Sequence, residues 1–408
     1  MNPLANKHIV LGVTGGIAAY KSAELVRRLR EWGADIRVVM THGARQFITP
    51  LTFQALSGNP VHTDIFHEPA ATAMDGTAMG HIELARWADL VLIAPATADR
   101  MARMAHGLAD DLLGTVCLAT TATVAMAPAM NRQMWQARAT QANVARLREY
   151  GVNILGPGEG AQACGETGPG RMLDVRDIAL RVRGLFVEPI LKGLDILITA
   201  GPTREALDPV RFLTNASSGK MGYEIARAAV EAGASSTLVT GPVALEEPPG
   251  VRCVQVTSAI EMRDAVMEHL AGKDIFIAAA AVSDYRPSHC AEEKRKKSAA
   301  DMELSLTLNP DILTQVTSLP NHPFAVGFAA ETHDVERNAL EKFRRKSLDM
   351  IAANHVGGSE VGFETEENAL GVYWGDGSAE ITRASKWQVA HRLLSLVAQR
   401  YFRPVHET

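Results

Sequence analysis

Two segments carry residue types suited to holding an anion. Near the start, a strand-like run ends in GVTGGIAAYK, where small residues let the backbone approach a phosphate. The helix that follows would supply free N–H groups and a favourable dipole. In the second half, SSGKMG leads a helix and offers N–H groups, hydroxyls and Lys220. Neither is a standard nucleotide motif. The first is not GxGxxG, and in the second Lys220 is followed by Met221 rather than Ser or Thr. Packing glycines and a helix cap with an exposed lysine are the ordinary structural readings of the same residues. A third segment, CAEEKRKKSAA, concentrates charge. Such runs are usually solvated loops, but this one comes soon after AAAAVSDY, where it could close over an anionic ligand.

These turns need strands and helices to hold them. HIVLGVT reads as a buried strand and IAAYKSAELVRRLREWG as an amphipathic helix stopped by a glycine. IRVVMT, DLVLIAP and TVAMAP are further strands. Each is aliphatic on both faces, as a parallel sheet covered by helices requires. The pattern restarts after a helix-like stretch Val175–Phe186. ILITAGP, a helix from Gly219 to Gly233, STLVTGP, IFIAAAAV and FAVGFAAE make a second set. MELSLTL alternates at period 2 and predicts a strand with one solvated face. NALGVYW and AEIT predict a late hairpin around Gly375–Gly377, and a long helix closes the chain. The fold class is α/β, with two doubly wound Rossmann-like domains, 1–190 and 191–408, divided within 187–193. The stretch His67–Gly80 and the charged run are candidate mobile loops over sites.

Composition narrows the function classes. A chain of 408 residues suits two domains of ~200 residues each. With 47% hydrophobic and 21% charged residues it reads as globular. A net charge of -5 gives no broad reason to bind nucleic acid or an anionic membrane, so an anionic ligand needs a local site. Four scattered cysteines without a CxxC pair suit a reducing cytoplasm and suggest neither disulfides nor zinc. The longest apolar runs fall short of the ~20 residues of a membrane span. The expected location is the cytoplasm.

Four more segments, GHIELARWADLVLIAPATAD, HGLADDLL, VAMAPAMN and the loop around ACGETGPGRM, join GVTGGIAAYK in a resemblance covering nearly the whole first half. Together they resemble the flavoprotein cysteine decarboxylases, most closely the decarboxylase half of bifunctional phosphopantothenoylcysteine decarboxylase/ligases. The resemblance implies FMN held by Gly15, Gly16, Ile17, Ala18, Thr41, Pro95, Ala96 and Thr97. It makes His81 the acid/base of a thiol oxidation, Asn131 the holder of the substrate carboxylate, and Cys164 the proton donor on a flap. FMN would supply the electron sink that a cysteinyl carboxylate lacks, because the carbanion left by CO2 can delocalise into C=S once the thiol is oxidised. Taken singly these side chains have duller uses. A histidine after a glycine caps or faces solvent, a thiol in a Gly-rich loop is inert, and an asparagine before a helix is an N-cap.

The run ITAGPTREALDPVRFLTNASSGKMG, with AAAAVSDY, EEKRKK, NPDIL, VGFAAET and KFRRKSLDMIAAN, resembles the phosphopantothenate–cysteine ligases over most of 193–400. The resemblance implies Asn215 as the asparagine that binds an acyl-cytidylate, and Lys294 on a loop closing over the triphosphate. It implies CTP contacts from Ala280, Asp284, Pro310, Asp311, Ile312, Leu313, Phe328, Lys342 and Lys346. Ala216 departs from the family, where that position is often larger or basic. Joining two anions, a carboxylate and the α-phosphate of CTP, requires cationic screening from Lys294, Lys342 and Lys346 with Mg2+. Asp284 is a candidate partner of the metal, whose ligands stay open.

The expected substrates are 4'-phosphopantothenate, L-cysteine and CTP, with no nucleic-acid or membrane partner. The family implies a homo-oligomer of decarboxylase trimers and ligase dimers, summing to a dodecamer. Three rivals stay open at this point. A nicotinamide oxidoreductase lacks its GxGxxG in either half. A regulatory phosphatase-binding relative would have lost catalytic residues that are present here. The third is a chain in which only the ligase works and the flavin domain is a scaffold.

Overall fold

The aliphatic runs form strands buried on both faces, as their two-sided patterning predicts. The structure is a computed structural model describing residues 4–65, 80–163, 165–294, 303–331, 333–355 and 365–403. It divides into two units, Met1–Phe186 and Val187–Thr408. Cys164, residues 67–79 of the irregular stretch and residues 295–297 of the charged run lie outside the described residues.

The first unit runs β1 (His8–Val13), α1 (Ala19–Glu31), β2 (Asp35–Met40), α2 (Pro50–Ser57), β3 (Val61–His62), α3 (Gly80–Trp87) and β4 (Leu90–Ala96). It continues with α4 (Ala98–Ala105), α5 (Leu112–Ala119), β5 (Thr123–Pro128), α6 (Arg132–Gln136), α7 (Arg138–Glu149) and β6 (Asn153–Ile154). A hairpin, β7 (Gly158–Ala161) and β8 (Thr167–Arg171), leads to α8 (Val175–Gly184). The sheet is parallel in the order β3-β2-β1-β4-β5-β6. Ile9, Leu11, Leu90 and Leu92 pack with Leu25 and Leu29 of α1 and Ile178 of α8 on one face. Val10, Val91 and Ile93 pack with Met101 of α4, Val116 of α5 and Leu147 of α7 on the other. Two apolar layers on one sheet make the unit doubly wound. Gly80, expected in a loop, is the first residue of α3.

The second unit runs β9 (Asp195–Ala200), β10 (Arg204–Ala206), β11 (Phe212–Thr214), α9 (Lys220–Glu231), β12 (Ser235–Thr240), β13 (Val251–Gln255), α10 (Ala259–His269) and β14 (Ile275–Ala278). After β15 (Tyr285–Pro287) and β16 (Leu306–Leu308) come α11 (Ile312–Thr317), β17 (Phe324–Glu331), α12 (Val335–Arg345) and β18 (Met350–His355). The hairpin β19 (Glu367–Trp374) and β20 (Gly377–Ser385) precedes α13 (Lys386–Tyr401). The main sheet has the order β13-β12-β9-β14-β17-β18-β19-β20, with β19 and β20 antiparallel. Ile196, Ile198, Ile275 and Ile277 face α9 and α13, while Leu197 and Phe276 face α10 and α11.

Two strand expectations need correction. IFIAAAAV is strand only to Ala278. Beyond it, Ala280 N–H donates to Thr199 Oγ1 (3.3 Å) and Ala281 N–H to the Gly201 carbonyl (2.9 Å), so the segment follows the end of β9 as a loop. Among the described residues of MELSLTL only Leu306–Leu308 is strand, paired with β15 in a separate ribbon. Leu306 and Leu308 are exposed, because the strand pairs in a two-stranded ribbon rather than within the main sheet.

Candidate active sites

In both sheets the strand order reverses beside the first strand of the unit, between β1 and β4 and between β9 and β14. Loops leaving two such neighbours must part in opposite directions, which opens a crevice at the carboxyl ends of the strands. Both candidate sites lie there.

In the first unit the turn after β1 is pinned by its own side chains. Thr14 Oγ1 donates to the Pro95 carbonyl (2.6 Å), and the Thr97 amide donates back to Thr14 Oγ1 (3.3 Å). Ser22 of α1 reaches the Ala94 carbonyl (2.6 Å), so helix and strand are locked together. Gly15 is set by close approach. A Cβ there would stand 2.8 Å from the Gly43 carbonyl carbon of the turn after β2. Helix α1 has no side-chain cap and no acid in its first turn; the Ala19 and Lys21 amides donate to the Gly16 and Ala18 carbonyls, and no side chain competes with an anion for the dipole at this end.

A cavity of about 730 Å³ opens on this turn. Gly15, Gly16, Ile17, Ala18 and Thr97 line it together with Asn131, Gln162 and Ala163. An adjoining space of about 490 Å³ takes in Thr14, Gly15, Thr41 and Thr97. Pro95 and Ala96 are buried in β4 behind the turn and line neither. Asn131 serves two purposes. Its Oδ1 accepts the Gln133 N–H (2.7 Å) as the N-cap of α6, and its Nδ2 donates to Glu166 Oε2 (2.8 Å). The carboxylate of Glu166 stands where another carboxylate could bind that amide. His81 lies in the first turn of α3 and lines neither space, and its buried Nδ1 has no hydrogen-bond partner among the described residues.

In the second unit the ribbon β10–β11 carries the chain to Asn215. Asp208, buried at its turn, accepts from the Val210 and Arg211 amides (both 2.9 Å) and from the Arg211 side chain. Thr214 Oγ1 donates to the Thr203 carbonyl (2.7 Å). Asn215 Nδ2 then donates to the Ala281 and Val282 carbonyls (3.2 and 3.1 Å), joining the loops after β9 and β14. Gly219 caps α9 at φ 74, a left-handed conformation that favours glycine.

Two cavities adjoin here. One, about 520 Å³, is lined by Ala280, Asp284, Pro310, Asp311, Ile312, Leu313, Phe328, Lys342 and Lys346. The other, about 450 Å³, holds Asn215, the segment Ser217–Gly222 and Lys386, and shares Ala280, Val282, Phe328 and Lys342 with the first. Lys294 is exposed and lines neither. Burial, then the charge of Lys346, hold the Lys342 ammonium below the usual lysine range. Asp311 lies below the usual carboxylate range. Burial is the largest single influence and pushes it up, but hydrogen bonds from Lys346 (2.9 Å) and Thr314 outweigh it.

Asn354, Asn368 and Lys386 escape the sequence reading. Lys386 opens a helix after a hairpin, where a solvated basic residue is the ordinary expectation, and no local pattern marks it as buried. No group of three or more His, Cys, Asp or Glu able to hold a metal occurs among the described residues, and no helix there is long and apolar enough to cross a membrane.

Comparison with known proteins agrees with this division. A flavoprotein family model matches residues 2–186, and a DNA/pantothenate metabolism flavoprotein C-terminal domain model matches 191–401. The coenzyme A biosynthesis bifunctional protein CoaBC of Vibrio cholerae is 54% identical over 400 residues, covering 97% of this chain and 99% of the relative. Its namesake from Escherichia coli is 52% identical over 404 residues, covering 98% of each. A crystal structure of the C-terminal domain of a CoaBC protein is 41% identical, covers 52% of this chain and 97% of that one, and has a TM-score of 0.45. With identity of this order across both units, the chain belongs to the family of coenzyme A biosynthesis bifunctional proteins.

Proposed function

We propose that the chain makes 4'-phosphopantetheine in two steps. The second unit joins cysteine to 4'-phosphopantothenate at the expense of CTP, and the first decarboxylates the product with FMN. The observation that carries the reading is the pair of adjoining cavities in the second unit. They share Lys342 and Phe328, with Asn215 on one and Asp311–Leu313 on the other.

In the ligase step a substrate carboxylate oxygen bonds to the α-phosphorus of CTP. The bond to the leaving pyrophosphate breaks, and the electron pair departs with it. The amine of cysteine then displaces CMP from the acyl-cytidylate, losing its proton to solvent. Lys342 and Lys346 screen the approach of the two anions. Asn215, braced by two carbonyls, holds the acyl-cytidylate, and Lys294 closes from its exposed loop. Mg2+ would be held largely by triphosphate oxygens with one or two carboxylates, which fits a wall where Asp284 is free to serve beside the Lys346-paired Asp311 and no cluster of three or more metal-binding side chains occurs among the described residues.

In the first unit the glycine turn, the uncapped α1 and Thr41 would hold the flavin phosphate, and the larger cavity its ring. Bound there, FMN would supply the hydride acceptor and donor that the thiol-bearing carbon needs, giving a carbanion left by CO2 the electron sink of a C=S bond. Asn131 offers the substrate carboxylate an uncharged donor, and the Glu166 contact supports that capacity. His81 exchanges the proton of the oxidation, and Cys164 donates one in the reduction. We take the working form to be a cytoplasmic homo-oligomer in which His81, which lines neither space among the described residues of its own unit, serves the flavin site of a neighbouring copy.

Visible absorbance, flavin release and separate half-reaction assays test the reading. A yellow protein that forms phosphopantothenoylcysteine from CTP and decarboxylates it supports both sites. A colourless protein without nucleotide turnover contradicts it.

A further inference from the structure

Asn368, Leu370 and Val372 alternate along β19, and all three are buried. Leu370 and Val372 join the apolar core of the second unit, whereas Asn368, 2% exposed, lines the smaller cavity. An amide so far from water needs partners for its oxygen and for its two N–H donors. The oxygen has one. The β19–β20 ladder shifts register between Asn368 and Leu370, and the Ala369 N–H donates to Asn368 Oδ1 (3.0 Å). Irregular ladders of this kind re-aim side chains and gather beside binding sites. The nitrogen is served far less well. Among the described residues Nδ2 donates only to Met221 Sδ, across 3.6 Å, and a thioether is a weak acceptor. Met221 lines the same cavity. A buried amide with its oxygen tied and its donor poorly matched, in the wall of an open space, suits a ligand that brings an oxygen acceptor.

We propose that Asn368 is a specificity residue for the acyl substrate: its Nδ2 donates to an uncharged oxygen on the chain that bears the reacting carboxylate. This rests on the ligase reading above and adds to it which part of the acyl-cytidylate the smaller cavity receives. Asn215 lies on that cavity and Asp311–Leu313 on the other, with Lys342 common to both. With the nucleoside beside Asp311–Leu313 and the α-phosphate at Lys342, the acyl chain enters the space that Asn215 and Asn368 both line. Between its carboxylate and its phosphate, 4'-phosphopantothenate carries two such oxygens, an amide carbonyl and a secondary hydroxyl. An acid with an apolar chain of the same length would leave Nδ2 to the thioether alone, and it is discriminated against for that reason.

Ligation kinetics of the full chain test this, with Asn368→Leu and Asn368→Ser beside wild type. Leucine is close to asparagine in size and removes the donor. Serine keeps an oxygen that can accept from Ala369, and it serves if the leucine variant does not fold. Expected is a rise of about 10-fold in the KM for 4'-phosphopantothenate, the scale of one buried hydrogen bond, with the KM and calorimetric affinity for CTP within about twofold of wild type. An analogue of 4'-phosphopantothenate without the hydroxyl separates the two acceptors. If the leucine variant and wild type handle that analogue alike, Nδ2 serves the hydroxyl. If the variant still loses about 10-fold, Nδ2 serves the carbonyl. An unchanged KM for 4'-phosphopantothenate, or equal rises for it and for CTP, would overturn the proposal and leave Asn368 a structural partner of Ala369. Wild type that makes no phosphopantothenoylcysteine from CTP would overturn the ligase reading itself, a result distinct from either.

Discussion

The Lys342 ammonium donates to the Phe328 carbonyl across 2.7 Å, and both residues belong to the common wall of two cavities in the second unit. A cation held at a boundary by one backbone carbonyl is well placed to meet an α-phosphate. It is also poorly solvated, and that has a measurable consequence.

Because burial and Lys346 lower its pKa, Lys342 loses its proton at a lower pH than an ordinary lysine. Deprotonation removes positive charge, so CTP affinity should fall as pH rises through a window below the usual lysine range. In that window bound phosphate raises the pKa again, and CTP binding takes up protons. Titrations in two buffers of different ionisation heat measure this uptake. Proton release, or affinity independent of pH up to the ordinary lysine range, would contradict it.

Asn131→Asp separates the two uses of one side chain. Aspartate is as good an N-cap as asparagine, so α6 should keep its cap and the unfolding temperature should change little. The new carboxylate cannot donate, and it faces Glu166 where the amide donated across 2.8 Å. Decarboxylation of supplied phosphopantothenoylcysteine should drop about 100-fold or more while ligation continues. Loss of both activities together would argue against independent sites.

Gly15→Ala should empty the flavin site without disturbing the ligase. The added Cβ meets the backbone of Gly43 at 2.8 Å, and backbone cannot swing aside as a side chain would. Flavin affinity should weaken about 10- to 100-fold, read as loss of visible absorbance per chain, with CTP-dependent ligation unchanged. A fully yellow variant would show that the turn does not approach the cofactor.

Asn215→Asp replaces a donor to two carbonyls, those of Ala281 and Val282, with an acceptor that repels both. The loops after β9 and β14 should part, and ligation should fall about 100-fold or more, with decarboxylation of supplied intermediate intact. Ligation at the wild-type rate would remove Asn215 from the site.

What the sequence revealed followed from locality. HIVLGVT and ILITAGP declared buried parallel strands because apolar residues on both faces have few other uses. The turn at Gly15–Ala18 and the segment Asn309–Leu313 were legible because neighbours in sequence act together. Asn131 is the N-cap the dull reading expects through its Oδ1, and its Nδ2 donates to the Glu166 carboxylate, so capping does not consume the amide donor that the functional reading needs. Lys386 was invisible because the cavity it lines is walled by Lys220–Gly222 of α9, far away in sequence, which no helix pattern encodes. MELSLTL misled for the same reason. Alternation describes a strand with an apolar face, but not whether any layer covers it.

The most direct test incubates the purified full chain with 4'-phosphopantothenate, cysteine, CTP and Mg2+ and follows the products by mass. The expected result is 4'-phosphopantetheine, formed only when CTP and bound flavin are both present, with phosphopantothenoylcysteine accumulating when flavin is removed. No phosphopantothenoylcysteine under any of these conditions, from protein shown to bind CTP, would contradict the account.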